Sequence, residues 1–257
     1  LYLTSDRPPA TKLETWGYSL LAKEWAEERN IAYDMPPWDV VKMVNSKSYS
    51  FSKSPLPGSR LIYSGDPIEP NTVLKSCFGA AGQGLISSDS PKAKKFCEEQ
   101  WKRNLPVISE PWVKRICDFS TQWIISKGGE IAYLGVTLCK TTSSGAHQSN
   151  TAGMPAPPFV EEQKAVAEEV LEEIAQMGYF GEVGFDAMVH GNNELQPIVE
   201  INARKTMGFV TLMLLEQYPD SEVELAYIVT KEKGPLPTEI GQIKFSRQAI
   251  IKCQKKS

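Results

Sequence analysis

Two neighbouring stretches decide the fold: Gly184-Phe185-Asp186-Ala187-Met188 and Pro197-Ile198-Val199-Glu200-Ile201-Asn202-Ala203-Arg204. Both alternate apolar and other residues, which predicts strands over 181–189 and 194–202 joined by a turn over 190–193. Because side chains alternate along a strand, Asp186 points away from its apolar neighbours, and Glu200 and Asn202 share one face. A hairpin of these strands therefore brings the three polar side chains to a single patch.

The chemistry of this patch favours a hard cation. Asp186, Glu200 and Asn202 supply only carboxylate and amide oxygens. Such donors suit Mg²⁺, which keeps several waters and bridges substrate phosphates, and they suit zinc or copper poorly. Exposed acids are also common on hairpins, so the pattern alone leaves open a plain surface patch.

A second feature is the run Val73 to Gly84, which places Lys75 at the end of a strand before a loop with three glycines. Backbone amides in such a loop can approach phosphate oxygens, and the lysine adds a positive charge. The loop matches neither the P-loop pattern nor the Rossmann pattern of glycines. A simple hairpin turn remains the alternative interpretation.

Composition predicts a globular chain that acts on small molecules. The 257 residues are 41% hydrophobic and 23% charged, with a formal net charge of −3 and no basic stripe, so neither nucleic acid nor an anionic membrane is expected as a partner. Without an apolar run of about 20 residues, no membrane span is expected and a cytoplasmic location is predicted. The five cysteines form no C-x-x-C pair and there are only two histidines, which argues against a zinc site. The chain begins at Leu1, which predicts that a preceding segment was removed, disordered or omitted.

Periodicity and turn residues predict alternating helices and strands in a mixed or antiparallel sheet. Residues 141–158, rich in Ser, Thr, Gly and Pro, are expected to form a long functional or mobile loop. The predicted helices cover 11–29, 91–103, a stretch after residue 158 that stops at Gly178, and 206–217. The further predicted strands cover 72–76, 106–112, 118–126 and 130–139.

The order and spacing of these pieces resemble the ATP-grasp family, whose metal-binding end is matched by 184–188, 197–204 and Lys205-Thr206-Met207-Gly208. Val44-Asn45-Ser46-Lys47 resembles the first ATP-binding lysine of the family, and Leu74-Lys75 resembles the second. Ile108 to Val113 resembles the strand that holds adenine, and Asp118-Phe119-Ser120 resembles the acidic ribose-binding position. The resemblance implies an α+β fold with two α+β subdomains that clasp ATP. It divides the chain into an N-terminal remnant layer (1–44), a small subdomain with the glycine-rich loop (45–112) and a C-terminal subdomain with the metal site (113–257).

The resemblance also assigns roles to individual residues. It implies that Asp186, Glu200 and Asn202 hold one or two Mg²⁺ ions and that Arg204 stabilises charge on the transferring phosphoryl group, although an ordinary ion pair is the alternative for Arg204. Asp118 stands where many relatives carry a glutamate. The implied ATP-binding residues are Lys47, Lys75, Gly79, Gly82, Glu110, Val113 and Asp118.

The function implied is an ATP-dependent ligase. ATP would phosphorylate a carboxylate, an amine or thiol would attack the acyl phosphate, and ADP and phosphate would leave, most often with formation of a C–N bond. A small-molecule kinase of the same fold and a non-catalytic nucleotide-binding module are the alternatives. The expected partners are small carboxylates and amines, and a homo-oligomer is left open.

Overall fold

The computed structural model describes residues 11–79, 84–142, 147–228 and 248–255. Within these ranges the chain forms six helices and eleven strands. The helices are α1 (Leu20–Glu27), α2 (Trp38–Val44), α3 (Lys47–Lys53), α4 (Ala93–Trp101), α5 (Val160–Gln176) and α6 (Met207–Gln217). The strands are β1 (Arg60–Ile62), β2 (Thr72–Ser76), β3 (Leu85–Ser87), β4 (Val107–Pro111), β5 (Arg115–Ile125), β6 (Ile131–Thr141), β7 (His147–Ala152), β8 (Gly181–His190), β9 (Glu194–Asn202), β10 (Ser221–Ile228) and β11 (Gln248–Lys255).

The described strands form two antiparallel sheets. The smaller has the order β1-β4-β2-β3, and the larger has the order β11-β10-β7-β6-β5-β8-β9. Helices cover the sheets without the β-α-β crossovers of a parallel sheet, so the fold is α+β as predicted. The domain boundaries drawn from the sequence stay a prediction.

The larger core lies between α5 and one face of the seven-stranded sheet. Val170 and Ile174 of α5 pack against Val183 and Phe185 of β8, and α2 adds further valines to the same cluster. Asp186 follows Phe185 and therefore faces the opposite side of the sheet. On that side α6 packs against β5, β6, β7 and β10. The core thus fixes which face of the sheet is left for polar chemistry.

A second core supports the four-stranded sheet. Ala93 and Cys97 of α4 pack against Ile62, Leu74 and Val107, all of which are buried. Helix α3 lies between the two sheets and contacts both β4 and β9. The two sheets therefore meet across α3, which places β2 and β4 opposite β8 and β9.

The N-terminal helix is shorter than predicted. It begins at Leu20, where the Ser19 side chain accepts a hydrogen bond from the Ala22 amide and caps the helix. The preceding residues are not helical, since the Trp16 carbonyl accepts a hydrogen bond from the Lys205 amide at 3.0 Å. The predicted start of this helix at residue 11 was wrong. The apolar spacing is typical of a helix, but the tertiary contact to Lys205 overrides that local preference.

Strand β7 was also missed, because it lies inside the predicted 141–158 loop. It pairs with β6 and β10 although its sequence, His147 to Ala152, shows no apolar alternation. One reason is Asn150, which is buried and donates hydrogen bonds to Thr137 and Cys139 on the neighbouring strand. Polar pairing across the sheet replaces apolar packing here, so periodicity carries no strand signal.

No helix in the described part of the chain is long and apolar enough to cross a bilayer.

Truncating the α5 core should destabilise the fold. Leu171 is completely buried, so Leu171→Ala should lower the free energy of unfolding by roughly 2–5 kcal/mol. Leu21 is 77% exposed, and Leu21→Ala should change the same quantity by about 0.5 kcal/mol or less. Urea unfolding of both variants measures the difference, and equal effects would contradict this assignment of the core.

Candidate functional site

The lysine predicted to be the second ATP ligand lies on the small sheet. Lys75 on β2 forms an ion pair with Glu110 on β4, the residue predicted to bind adenine. Both side chains are largely shielded, at 14% and 17% exposure. The pair places one positive and one negative group on the face of β2 and β4 that looks toward the larger sheet.

Lys47, the predicted first ATP-binding lysine, contacts residues in or next to both sheets. It is the first residue of α3, and its Nζ lies 2.5 Å from Glu200 Oε1 and 3.3 Å from the Gly79 carbonyl. Just before it, the Asn45 side chain accepts a hydrogen bond from the Ala203 amide at 3.0 Å. This contact ties the start of α3 to the end of β9 and so sets Lys47 beside the acidic hairpin.

The predicted metal ligands come together on β8 and β9. Asp186 lies directly opposite Glu200 in the strand register, and Asn202 lies opposite Gly184. Asn202 Nδ2 donates a hydrogen bond to Asp186 Oδ2 at 3.0 Å. The hairpin geometry expected from the sequence is present, while the role of these residues as ligands stays a prediction.

The donor set fits a hard divalent cation. Burial and the nearby Glu200 carboxylate raise the pKa of Asp186, and a hydrogen bond from Ser120 and the charge of Arg204 partly oppose this rise. A cation between the two carboxylates would relieve their repulsion, since an opposite charge favours the ionised form. Among residues 11–79, 84–142, 147–228 and 248–255 no three His, Cys, Asp or Glu side chains form a metal site. A cation here would thus need the Asn202 amide or water in addition to Asp186 and Glu200.

Arg204 follows β9 and lies close to the acids. Its amide donates a hydrogen bond to the Asn202 carbonyl at 2.8 Å, which turns the chain just after the strand. A Cβ on Gly17 would lie 3.4 Å from Arg204 Cβ, so the N-terminal segment packs along the base of this side chain. Arg204 is therefore held between the N-terminal segment and the acidic hairpin.

The remaining predicted nucleotide ligands are placed less favourably. Asp118 on β5 has both carboxylate oxygens engaged, with Arg115 Nη1 at 2.7 Å and Thr141 Oγ1 at 2.9 Å. Val113 lies between β4 and β5 and is partly exposed. Gly79 reaches the site through its carbonyl, which accepts from Lys47, and Gly82 lies outside the described residues.

A cleft joins the lysines and Glu110 to the larger sheet. Its other walls are mainly apolar side chains to which the sequence analysis gave no individual role. Strand alternation could have indicated Met188, because it lies two residues after Asp186 on the same face. The lining residues are Lys47, Phe51, Ser54, Leu56, Lys75, Ile108, Glu110, Met188, Gln196, Ile198 and Val199. Apolar walls with a few charged groups at one end are typical of a nucleotide or cofactor site.

The charge of Asp186 should destabilise the fold at neutral pH. Because the pKa of Asp186 is raised in the folded state, its ionisation costs stability above the ordinary pKa of the unfolded chain, and the cost is full above the folded pKa. Asp186→Asn should therefore increase the free energy of unfolding at pH 7, and the gain should vanish below about pH 4. Urea unfolding across pH measures this, with exposed Asp220→Asn as the control. A gain that is absent at pH 7 would contradict the argument.

No protein-family model matches the chain. Among curated proteins it is similar to a [butirosin acyl-carrier protein]–L-glutamate ligase of Niallia circulans, with 29% identity over 177 residues. The match covers 65% of this chain and 41% of the relative, so the chain spans less than half of the length of that protein.

Solved structures show the same architecture at low sequence identity. The biotin carboxylase domain of Hydrogenobacter thermophilus 2-oxoglutarate carboxylase matches with a TM-score of 0.64 and 14% identity over 91% of this chain and 68% of its own. Campylobacter jejuni biotin carboxylase matches with a TM-score of 0.59 and 15% identity, over 86% and 60% of the two chains. An ATP-grasp superfamily protein of Archaeoglobus fulgidus matches with a TM-score of 0.56 and 14% identity, over 90% and 70%. The resemblance found in the sequence is confirmed, and this chain has the ATP-grasp fold.

Proposed function

We propose that this chain is the ATP-binding part of a Mg²⁺-dependent ligase that activates a carboxylate for attack by an amine or a thiol. The observation that supports the proposal is that Lys47 and Lys75 line one cleft between the sheets, and that Lys47 pairs with Glu200, which lies opposite Asp186. The charge of Arg204 acts on Asp186 at the same hairpin. Phosphoryl transfer is catalysed mainly by positioning and charge neutralisation, which such a set of groups provides without a protein nucleophile.

The apolar part of the cleft suits a nucleobase, and the charged end suits a polyphosphate. The apolar walls include one aromatic side chain, Phe51, and three aliphatic side chains, Ile108, Met188 and Ile198. Lys47 and Lys75 stand at the same cleft but are each paired with a carboxylate. Bound phosphates would compete for these ammonium groups, so nucleotide binding exchanges two internal ion pairs for contacts to the ligand.

Asp186, Glu200 and Asn202 would hold Mg²⁺ at the end of this cleft. When bound there, the ion would supply positive charge that offsets the negative charge of the polyphosphate. Lys47 links this hairpin to α3, because its ammonium group contacts Glu200. If Glu200 bound a cation instead, Lys47 would lose this ion-pair partner.

Arg204 is placed to act on the transferring group. Its charge reaches Asp186, and its planar guanidinium can donate to phosphoryl oxygens from the side of the hairpin. In the proposed reaction a carboxylate oxygen attacks the terminal phosphorus of ATP and ADP leaves. An amine or thiol then attacks the acyl carbon, and phosphate leaves. Arg204 would stabilise the charge that develops on the phosphoryl oxygens.

The relatives suggest the class of substrate. The Niallia circulans enzyme is named for joining L-glutamate and an acyl-carrier protein, and the Hydrogenobacter thermophilus structure contains MgADP and bicarbonate. One name thus includes a carboxylic acid, and the other structure holds its inorganic counterpart together with a nucleotide. For this chain an amino acid or another small carboxylate is proposed as the activated group, with a small amine or a carrier protein as the acceptor. The cytoplasmic location and any homo-oligomer stay predictions.

Nucleotide titration and an ADP-release screen test the proposal. The protein should bind ATP saturably in a Mg²⁺-dependent manner, and it should release ADP with one pool of carboxylates only when amines or thiols are also present. Lys75→Met should weaken ATP binding, because it removes a phosphate contact. Failure of the wild-type protein to bind ATP would refute the function. Turnover on a carboxylate pool without an acceptor, with a stable phosphorylated product, would identify a kinase instead.

Substitutions at the hairpin should separate binding from chemistry. Glu200→Gln and Asn202→Ala should lower both Mg-ATP affinity and turnover, because the ion contacts these side chains before and during the reaction. Arg204→Met should leave Mg-ATP affinity within a few-fold while turnover falls by about a hundredfold or more, the effect of losing one charge-stabilising donor. Direct titration and steady-state ADP release give both numbers. Equal losses of affinity and turnover for Arg204→Met would make Arg204 a ground-state binding residue.

A further inference from the structure

A glutamine is buried in the middle of the seven-stranded sheet, on the face that carries the acidic hairpin. Gln122 of β5 is 1% exposed and lies opposite Gly184 of β8. An unpaired amide in such a place costs roughly 1–3 kcal/mol, so its partners matter. Both ends of this amide are bonded, and both bonds lead to groups near the proposed cation site.

One end of the amide accepts a hydrogen bond from α6. Thr206 Oγ1 lies 2.6 Å from Gln122 Oε1, and the same hydroxyl oxygen accepts from the Phe209 amide at 3.1 Å as the cap of the helix. Because the amide oxygen is an acceptor only, the Thr206 hydroxyl hydrogen must point to it. The threonine is thus donor to Gln122 and acceptor from the helix.

The other end of the amide donates toward the acids. Gln122 Nε2 lies 2.8 Å from Ser120 Oγ, and Ser120 lies directly opposite Asp186 in the register of β5 and β8. The serine oxygen accepts from Gln122, so its single hydrogen is left for the Asp186 carboxylate on the facing strand. Asn202 donates a hydrogen bond to the same carboxylate.

All of these hydrogen bonds therefore run in one direction. They begin at the Phe209 amide and pass through Thr206 and Gln122 to Ser120, which lies directly opposite Asp186. A one-way chain from the amide end of a helix to an anion is favourable, because each bond polarises the next and the helix terminus is positive. A reversed amide would donate to Thr206 and accept from Ser120, so the Ser120 hydrogen would no longer be left for Asp186.

Two glycines make room for this amide. A Cβ on Gly208 would lie 2.6 Å from Gln122 Nε2, and a Cβ on Gly184 would lie 3.0 Å from Gln122 Oε1 and 2.8 Å from Thr206 Cγ2. Neither glycine has a positive φ angle. Glycine is required at these positions for space and not for backbone conformation, which accounts for glycine in both motifs that flank the acids.

We infer that Gln122, together with Ser120 and Thr206, positions the Asp186 carboxylate for the divalent cation and links it to the start of α6. The inference rests on the proposed metal role of Asp186. Groups that hold a metal ligand in place typically change metal affinity by about 10–100-fold when they are removed. Gln122 is a positioning residue, since it reaches the site only through Ser120.

Three variants test the inference. Gln122→Met keeps the volume and removes both hydrogen bonds, and Ser120→Ala removes only the hydroxyl that reaches Asp186. Gln163→Met is the matched control, because Gln163 of α5 is also completely buried and accepts a hydrogen bond from Thr121, on the opposite face of the same strand. Mn²⁺ affinity measured by electron paramagnetic resonance in the presence of ADP is the main readout, with ADP affinity without metal and thermal stability measured in parallel.

Gln122→Met and Ser120→Ala should each weaken Mn²⁺ binding by about tenfold or more, with ADP affinity in the absence of metal unchanged. Gln163→Met should lose thermal stability but keep its Mn²⁺ affinity. Wild-type Mn²⁺ affinity in Ser120→Ala, or an equal loss in Gln163→Met, would overturn the inference and leave the proposed function standing. Failure of the wild-type protein itself to bind Mn²⁺ would overturn both. Ser120→Ala decides the matter if Gln122→Met does not fold.

Discussion

The repulsion between two carboxylates that the β-sheet register places face to face is the constraint on which the site depends. Asp186 and Glu200 are directly opposed on β8 and β9. The Cβ atoms of such a pair lie roughly 5 Å apart. Like charges directly opposite each other on two strands carry an energetic cost. Lys47 contacts Glu200 and Asn202 contacts Asp186, and the charge of Arg204 and the Ser120 side chain on the facing strand act on Asp186, so all four groups reduce that cost.

Apolar packing on the other face of the same strand offsets this electrostatic cost. Val183 and Phe185 bury their side chains against α5, while Asp186 between Phe185 and Ala187 faces the opposite side of the sheet. A strand that alternates in this way can carry an unfavourable charge on one face because the opposite face contributes apolar burial.

Much of the fold follows from local signals. Strands β2, β8 and β9 and the end of α5 were predicted within a residue or two, because alternation, helical periodicity and flanking glycines all agree there. The predicted start of α1 and the omission of strand β7 were wrong for two different reasons. The extended chain at Trp16 is held by Lys205, and β7 is held by polar pairing through Asn150, so the stabilising partner lies far away in sequence in one case and lacks an apolar pattern in the other.

The sequence by itself determined that Asp186, Glu200 and Asn202 share one face of the hairpin, because side-chain alternation along two strands sets that face whatever surrounds it. Only the tertiary structure decided what those residues contact. The pairing of Asp118 with Arg115 and Thr141 and the apolar walls of the cleft are contacts between separate elements. The burial of Gln122 between Gly184 and Gly208 depends on three segments meeting within a few ångströms. Side-chain alternation is local to one strand, whereas close packing and hydrogen-bond direction arise only when the elements are assembled.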